Sequence, residues 1–252
     1  MKKTYTIEYG CACTVGKIRK NNEDNFYCEK KFRLDPDDNN DIVFSGKIKS
    51  SDNEVLAVFD GMGGEACGEV ASLIAAETTM KFAENKDSYD EYLTELSDVL
   101  NTSVLEESDA RNLVLMGTTA AMIQFNKEEI YIMNAGDSPI YKLIKNRLVK
   151  ISQDHVAPGF LGKAPLTKFV GTPDKNGLNP YIARGPYKAG DVYILCTDGV
   201  TDMTGEEELE EIVSDMIGDK KPLDEIAKEI VELAKEKGGV DNATVMVCKI
   251  LK

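Results

Sequence analysis

Four aspartates stand where apolar runs begin or end, and each has a glycine within two residues. Asp60 closes "EVLAVFD", Asp137 follows "IYIMNAG", Asp198 closes "DVYILCTD" and Asp241 precedes "ATVMVCKIL". A single Asp at a strand end ordinarily just starts a turn, because its short side chain hydrogen-bonds the nearby backbone. Four with the same flanking pattern point to a shared site. Carboxylates packed together repel, and some take up a proton unless a cation neutralises them. Hard divalent cations such as Mg2+ or Mn2+ prefer oxygen ligands and keep several waters. A glycine beside the carboxylate also lets a backbone carbonyl approach. Two such ions about 3.5–4 Å apart share a water and sharpen it into a nucleophile, which is chemistry suited to phosphate esters. The stretch "GKIRKNNEDNFY" adds Arg19, four and five residues ahead of Glu23 and Asp24. A guanidinium grips phosphate through two parallel hydrogen bonds.

The elements that must position these groups are legible as apolar patterns. Strand-like segments recur at 4–10, 54–60, 117–125, 129–136, 139–145, 191–198 and 243–251, and the short turn at 126–128 favours antiparallel pairing. The spacing predicts four helices. One covers 66–84, directly after the glycines that follow Asp60. A second carries the stripe Tyr89, Tyr92, Leu93, Leu96, Val99 and Leu100, and a third carries Leu209, Ile212, Val213 and Met216. The fourth carries Leu223, Ile226, Ala227, Ile230 and Leu233, with Pro222 near its start and Gly238 beyond its end. Helices fall in pairs between runs of strands. That order predicts a layered α+β arrangement with antiparallel sheets, not a doubly wound parallel sheet. The polar stretch 33–54 reads as a surface excursion. No linker interrupts the 252 residues, so a single domain over 1–252 is expected.

Bulk composition narrows the partners. Asp and Glu outnumber Lys and Arg by 44 to 30, a formal charge of −14, which argues against a nucleic-acid partner. The six cysteines are scattered. Cys11 and Cys13 alternate along a strand without the paired spacing of a zinc site, and Cys196 and Cys248 lie in apolar runs as small core residues. This usage fits reduced thiols and an intracellular protein. The start "MKKTYTIEYG" lacks the apolar stretch of a signal peptide, and no run reaches transmembrane length. A cytoplasmic protein without a membrane partner is the expectation.

In chain order, "RKNNED", "DGMGG" with "GEVAS", "MGTTA", "NAGDS", "QDH", "LCTDGVTD" and "GVDNATV" resemble successive motifs of the metal-dependent type 2C protein serine/threonine phosphatases, bacterial branch. The resemblance covers nearly the whole chain. It implies two antiparallel β-sheets packed as a sandwich, with helix pairs on both outer faces (α-β-β-α layers). It implies two Mn2+ or Mg2+ ions, with room for a third. Asp60 would bridge the pair, the Gly61 carbonyl would bind one of them, and Asp198 and Asp241 would complete the direct ligands. Glu23 and Asp24 would hold metal-bound waters, and Arg19 would bind the substrate phosphate. Asn242 would support Asp241, and Asp137 and Asp202 would join Asp198 around a third ion. The implied activity is hydrolysis of phosphoserine and phosphothreonine esters by a metal-activated water, with no phosphoenzyme. The implied partners are phosphorylated proteins and a cognate Ser/Thr kinase in a bacterial cytoplasm, met by a monomer.

Several positions depart from the family pattern. Glu65 stands where bacterial members often have His, and Met62 where some animal members have a His proposed as general acid. The only histidine, His155 in "QDH", is read as structural, which leaves leaving-group protonation to a metal-bound water. Pro139 replaces a usual Arg in "GDSP", and the flap near 156–166 is shortened. These departures frame the alternative of a catalytically weak or inactive phosphatase-fold regulatory domain, although every direct ligand is present. An aspartyl-phosphate mechanism is disfavoured because Cys196, not Asp, stands two residues ahead of Asp198. A cysteine nucleophile is not expected either. Thr118 and Thr119 are read as buried β-branched packing residues.

Overall fold

The computed structural model describes residues 4–62, 67–83, 91–126, 129–160, 163–174 and 177–252. Its strands are β1 (Thr6–Thr14), β2 (Asp24–Tyr27), β3 (Ile42–Lys49), β4 (Val55–Met62), β5 (Gly117–Thr118), β6 (Ala120–Phe125), β7 (Glu129–Ala135), β8 (Ile140–Ile144), β9 (Arg147–Lys150), β10 (Tyr181–Pro186), β11 (Val192–Cys196) and β12 (Ala243–Leu251). Its helices are α1 (Gly68–Ala83), α2 (Tyr92–Ala110), α3 (Asp198–Thr204), α4 (Glu206–Gly218) and α5 (Leu223–Glu236). The strands form two antiparallel six-stranded sheets. One has the order β3-β1-β12-β11-β8-β9, and the other β10-β7-β6-β4-β2, with β5 pairing off β4.

Alternation along the strands explains the layering. In β4, Leu56 and Val58 point between the sheets, where they meet Ile7, Tyr9 and Cys11 of β1 and Met246 and Cys248 of β12. Their neighbours Val55, Ala57 and Phe59 point the other way, onto Ala71 and Ala75 of α1 and Leu96 and Leu100 of α2. On the opposite sheet, Ile194, Val245 and Val247 face outward onto Ile226 and Ile230 of α5. Both faces of the central strands are therefore covered, and they read as unbroken apolar runs rather than half-polar ones. Each large side chain buried this way contributes roughly 1.5–3 kcal/mol of transfer free energy. The result is the expected α-β-β-α sandwich.

Several expectations need correction. The stretch 33–54 is not merely an excursion, because β3 lies within it and pairs with β1 from Thr6↔Lys49 to Cys13↔Ile42. Strands β2, β9 and β10 and the short helix α3 were not anticipated from the sequence. Asp60 lies inside β4, two residues before its end. Asp198 does not close β11; Thr197 intervenes, and Asp198 is the first residue of α3. Tyr89 falls outside the described residues. All six cysteines are free thiols. Among the described residues no helix is long and apolar enough to cross a membrane.

Candidate metal centre and active site

Strand pairing brings the first two carboxylates together. β2 runs antiparallel to β4 with Asp24 opposite Asp60. Asp24 is buried, and its Oδ2 accepts hydrogen bonds from Thr197 (2.8 Å) and Thr244 (2.7 Å). These threonines flank the other two predicted ligands: Thr197 precedes Asp198, and Thr244 lies three residues after Asp241. Asp24 therefore pins the β11–α3 junction and the start of β12 to the opposite sheet.

The Asp60 backbone is clamped on both sides. Its N–H donates to Thr119 Oγ1 (3.0 Å), and its carbonyl accepts from the Thr118 hydroxyl (2.9 Å) and the Thr119 N–H (2.8 Å). Thr118 and Thr119 are buried as expected, but their hydroxyls hold the backbone of Asp60 rather than only filling space. Gly61 donates its N–H to the Glu23 carbonyl (3.1 Å), and a Cβ built there would lie 2.1 Å from the Gly68 carbonyl oxygen. Only glycine lets the start of α1 close onto β4 at this point. Gly63, Gly64 and Glu65 lie outside the described residues.

Asn242 ties the remaining loop in place. Its Oδ1 accepts the Glu23 N–H (2.8 Å), and its Nδ2 donates to the carbonyls of Val15 (2.9 Å) and Asn21 (3.0 Å). Buried Arg33 completes the frame by donating to the carbonyls of Asn22 (2.9 Å) and Asp24 (2.5 Å). Arg19 reaches Asp241, with Nη2 2.8 Å from Oδ2. Asp137, Asp60 and Asp198 line a cleft of about 190 Å³ together with Met62, Thr119 and Lys163. Asp202 sits one helical turn after Asp198, exposed at the margin. Of the groups that surround the predicted ligands, sequence reasoning missed Thr197, Thr244, Arg33 and Lys163. A polar residue inside the buried run of β12 was the one available signal, and it pointed to Thr244.

The electrostatics follow from this crowding. Burial and the charges of Asp198 and Asp24 hold the Asp60 carboxyl well above the usual range. Burial lifts Asp24 to about 7 despite the two threonine hydroxyls, with Asp198 and Asp241 adding to the rise. Asp137 is pushed up to about 6 by burial and Asp198. Glu23 and Asp202 move the same way, chiefly through burial. His155 is buried among other groups, and burial and Lys168 lower its basicity, so the imidazole is neutral near pH 7. It does not line the cleft.

These raised carboxyls have a measurable consequence. Between the ordinary carboxylate range and pH 7, the folded chain keeps protons that the unfolded chain has released. Stability therefore falls as pH rises through that window. Without divalent cations, the unfolding midpoint is expected to be about 4 °C or more higher at pH 5.5 than at pH 8, because one unit of raised pKa is worth about 1.36 kcal/mol and each kcal/mol moves the midpoint of a chain this long by about 2–4 °C. Calorimetry in chelator checks it. A midpoint that rises with pH would contradict the charge cluster.

The donor set suits a hard cation. Asp60, Asp137 and Asp198 in the cleft, and buried Asp24 opposite Asp60, all offer carboxylate oxygen. Asp24 Oδ1 and Asp198 Oδ1 are buried without a hydrogen-bond partner, a costly condition that a bound cation would relieve. Among the described residues no three acidic, Cys or His side chains close into a ready-made coordination shell. The ammonium of Lys163 stands among them instead, 2.6 Å from Asp198 Oδ2 and 3.7 Å from Asp241 Oδ2.

Comparison with known proteins places this arrangement. The family model for protein phosphatase 2C matches residues 38–240. The serine/threonine phosphatase Stp of Listeria welshimeri is 28% identical, over 92% of this chain and 91% of that protein. The serine/threonine protein phosphatase PstP of Mycobacterium tuberculosis is 26% identical, over 98% of this chain and 46% of that protein. Among solved structures, the catalytic domain of PstP in complex with two manganese ions superposes with a TM-score of 0.78 at 25% identity, covering 99% of this chain and all of that one (100%).

Proposed function

Because the chain belongs to the protein phosphatase 2C family, we propose that its carboxylate cleft is the active site of a metal-dependent protein serine/threonine phosphatase acting on phosphoproteins. Asp60, the Gly61 carbonyl, Asp198 and Asp241 hold two Mn2+ or Mg2+ ions, and Asp137 and Asp202 with Asp198 hold a third. When bound, the ions supply a water activated for attack on the phosphate ester. The chain's own groups do the rest. Glu23 and Asp24 hold water in the cleft, Arg19 receives the substrate phosphate, and Asn242 keeps the Asn21–Glu23 segment against Asp241. The observation that carries this reading is the pair of buried, partnerless oxygens, Asp24 Oδ1 and Asp198 Oδ1, beside Asp60 at a carboxylate-rich cleft. The two manganese ions in the PstP catalytic domain support the same assignment. One phosphatase domain with a short flap near 156–166, working as a monomer in a bacterial cytoplasm opposite a Ser/Thr kinase, completes the proposal.

Phosphate release from a phosphothreonine peptide, with and without Mn2+ and beside Asp241→Ala, tests it. Turnover is expected to require Mn2+. It should fall by about 100-fold or more in the variant, because losing even an outer partner of a metal ligand costs about 10–100-fold. Mn2+ binding to the wild type without turnover would favour an inactive regulatory domain instead.

A further inference from the structure

The flap segment carries a cation into the carboxylate cleft. Residues on either side of Lys163 are tied at the flap's base by the bridge Val156↔Leu166 and the hydrogen bond from the Ala157 N–H to the Pro165 carbonyl (2.9 Å). Ala164 and Leu166 line the same cleft. From this short support the Lys163 side chain, 58% exposed, reaches Asp198 Oδ2 at 2.6 Å and Asp241 Oδ2 at 3.7 Å. Its charge also bears on Asp60, Asp137 and Asp202. Arg19, a second cation at the cluster, pairs with Asp241. The buried carboxylate Asp198, whose side chain is 8% exposed, has Lys163 as its ion-pair partner.

A divalent ion on Asp198 and the Lys163 ammonium would compete for the same oxygen and repel each other across a few ångströms. We infer that Lys163 is a tethered counter-ion of the metal-ligand cluster, which Mn2+ or Mg2+ must displace to bind, so that this flap residue sets the metal affinity of the site. The inference rests on the reading of Asp60, Asp198 and Asp241 as cation ligands. Two consequences follow from charge alone. Without divalent ions, Lys163 stabilises the fold by neutralising Asp198. With them, it is expelled and its amine is freed.

The tests read binding and amine reactivity, not turnover. Titration calorimetry with Mn2+ on the wild type, Lys163→Met and Lys163→Arg, with Asp241→Ala as the ligand-loss control, gives the affinities. Lys163→Met is expected to bind Mn2+ about tenfold more tightly, a change of about 1.4 kcal/mol. Its midpoint in chelator should drop by about 2–4 °C. Lys163→Arg, which keeps the charge, should stay within about threefold of the wild type. In the wild type, acylation of Lys163 by an amine-directed ester, followed by mass spectrometry, should increase when Mn2+ is added. Unchanged or weaker Mn2+ binding in Lys163→Met, or acylation that falls with Mn2+, would overturn the tethered counter-ion while leaving the metal site standing. A wild type and a Lys163→Met variant that both fail to bind Mn2+ would overturn the metal site and the counter-ion together.

Discussion

Asp60→Asn is expected to lower kcat/KM on a phosphothreonine peptide by about 100- to 1,000-fold, while making the metal-free protein more stable. The two effects have one cause. Asp60 lies deep in the cleft, and burial, Asp198 and Asp24 all disfavour its charge. Asparagine resembles the protonated carboxyl: it is neutral and nearly isosteric. The swap removes like-charge repulsion without opening a cavity, and near neutral pH the midpoint in chelator should rise by about 2–4 °C. It also removes a carboxylate that would hold the ions, and a positioned electrostatic group of this kind is worth about 100- to 1,000-fold in rate. Saturating Mn2+ should stabilise the wild type by roughly 2.7 kcal/mol at a concentration 100-fold above Kd, and much less in the variant. Opposite signs in stability and activity separate this outcome from a folding defect. A variant within tenfold of wild-type activity would remove Asp60 from the proposed catalytic centre.

How much of this site the sequence discloses depends on what each residue does. Asp60, Asp137, Asp198 and Asp241 were legible because the same carboxylate-and-glycine pattern recurs at the edges of four apolar runs, where a single one would pass for a turn. The strands that carry them were legible because both of their faces are buried, as Val55–Phe59 illustrates. β3 was hidden for the converse reason. Its residues alternate between exposed and half-buried, and an Asp/Asn-rich stretch precedes it, so its composition resembles a loop. β10, with Gly185 and Pro186 at its end, is similar. α3 has only 7 residues, too few for a periodic stripe, and that is why Asp198 looked like the end of a strand. Thr197 was invisible as an Asp24 partner because threonine is an ordinary strand residue, and Thr244 showed only as a polar residue inside a buried run. Only the pairing of β11 with β12, and the packing of one sheet on the other, brings both hydroxyls to one buried oxygen. Lys163 left no trace, since its place depends on the path of a loop rather than on any pattern. The types of the site's charged residues are written locally, and the groups that hold them are fixed by tertiary register.

Gly199 shows how strict that register is, and Gly199→Ala is expected to damage both fold and function. A Cβ at this position would lie 1.8 Å from the Asn242 carbonyl oxygen, 2.9 Å from its carbon and 3.4 Å from Asp241 Cβ. Backbone, not a flexible side chain, blocks the space. The first turn of α3 and the 241–242 segment must therefore move apart, and they carry Asp198 and Asp241 respectively. Overpacking of this kind costs about 1–3 kcal/mol, or roughly 2–12 °C in midpoint for a chain this long. The separation matters more than the lost stability, because a misplacement of about 1 Å among catalytic groups can cost about 100-fold in rate. Asn242 would carry the shift further, since its side chain holds Glu23, Val15 and Asn21. Gly218→Ala is the matched control: Gly218 ends α4 with open space around its Cβ position, so alanine there should leave turnover unchanged and add up to about 1 kcal/mol of stability. Phosphopeptide turnover at 20 °C, well below either midpoint, separates geometry from unfolding. Gly199→Ala with wild-type turnover and Mn2+ affinity would mean that the two segments can part without disturbing Asp198 and Asp241, and the close approach would then serve packing alone.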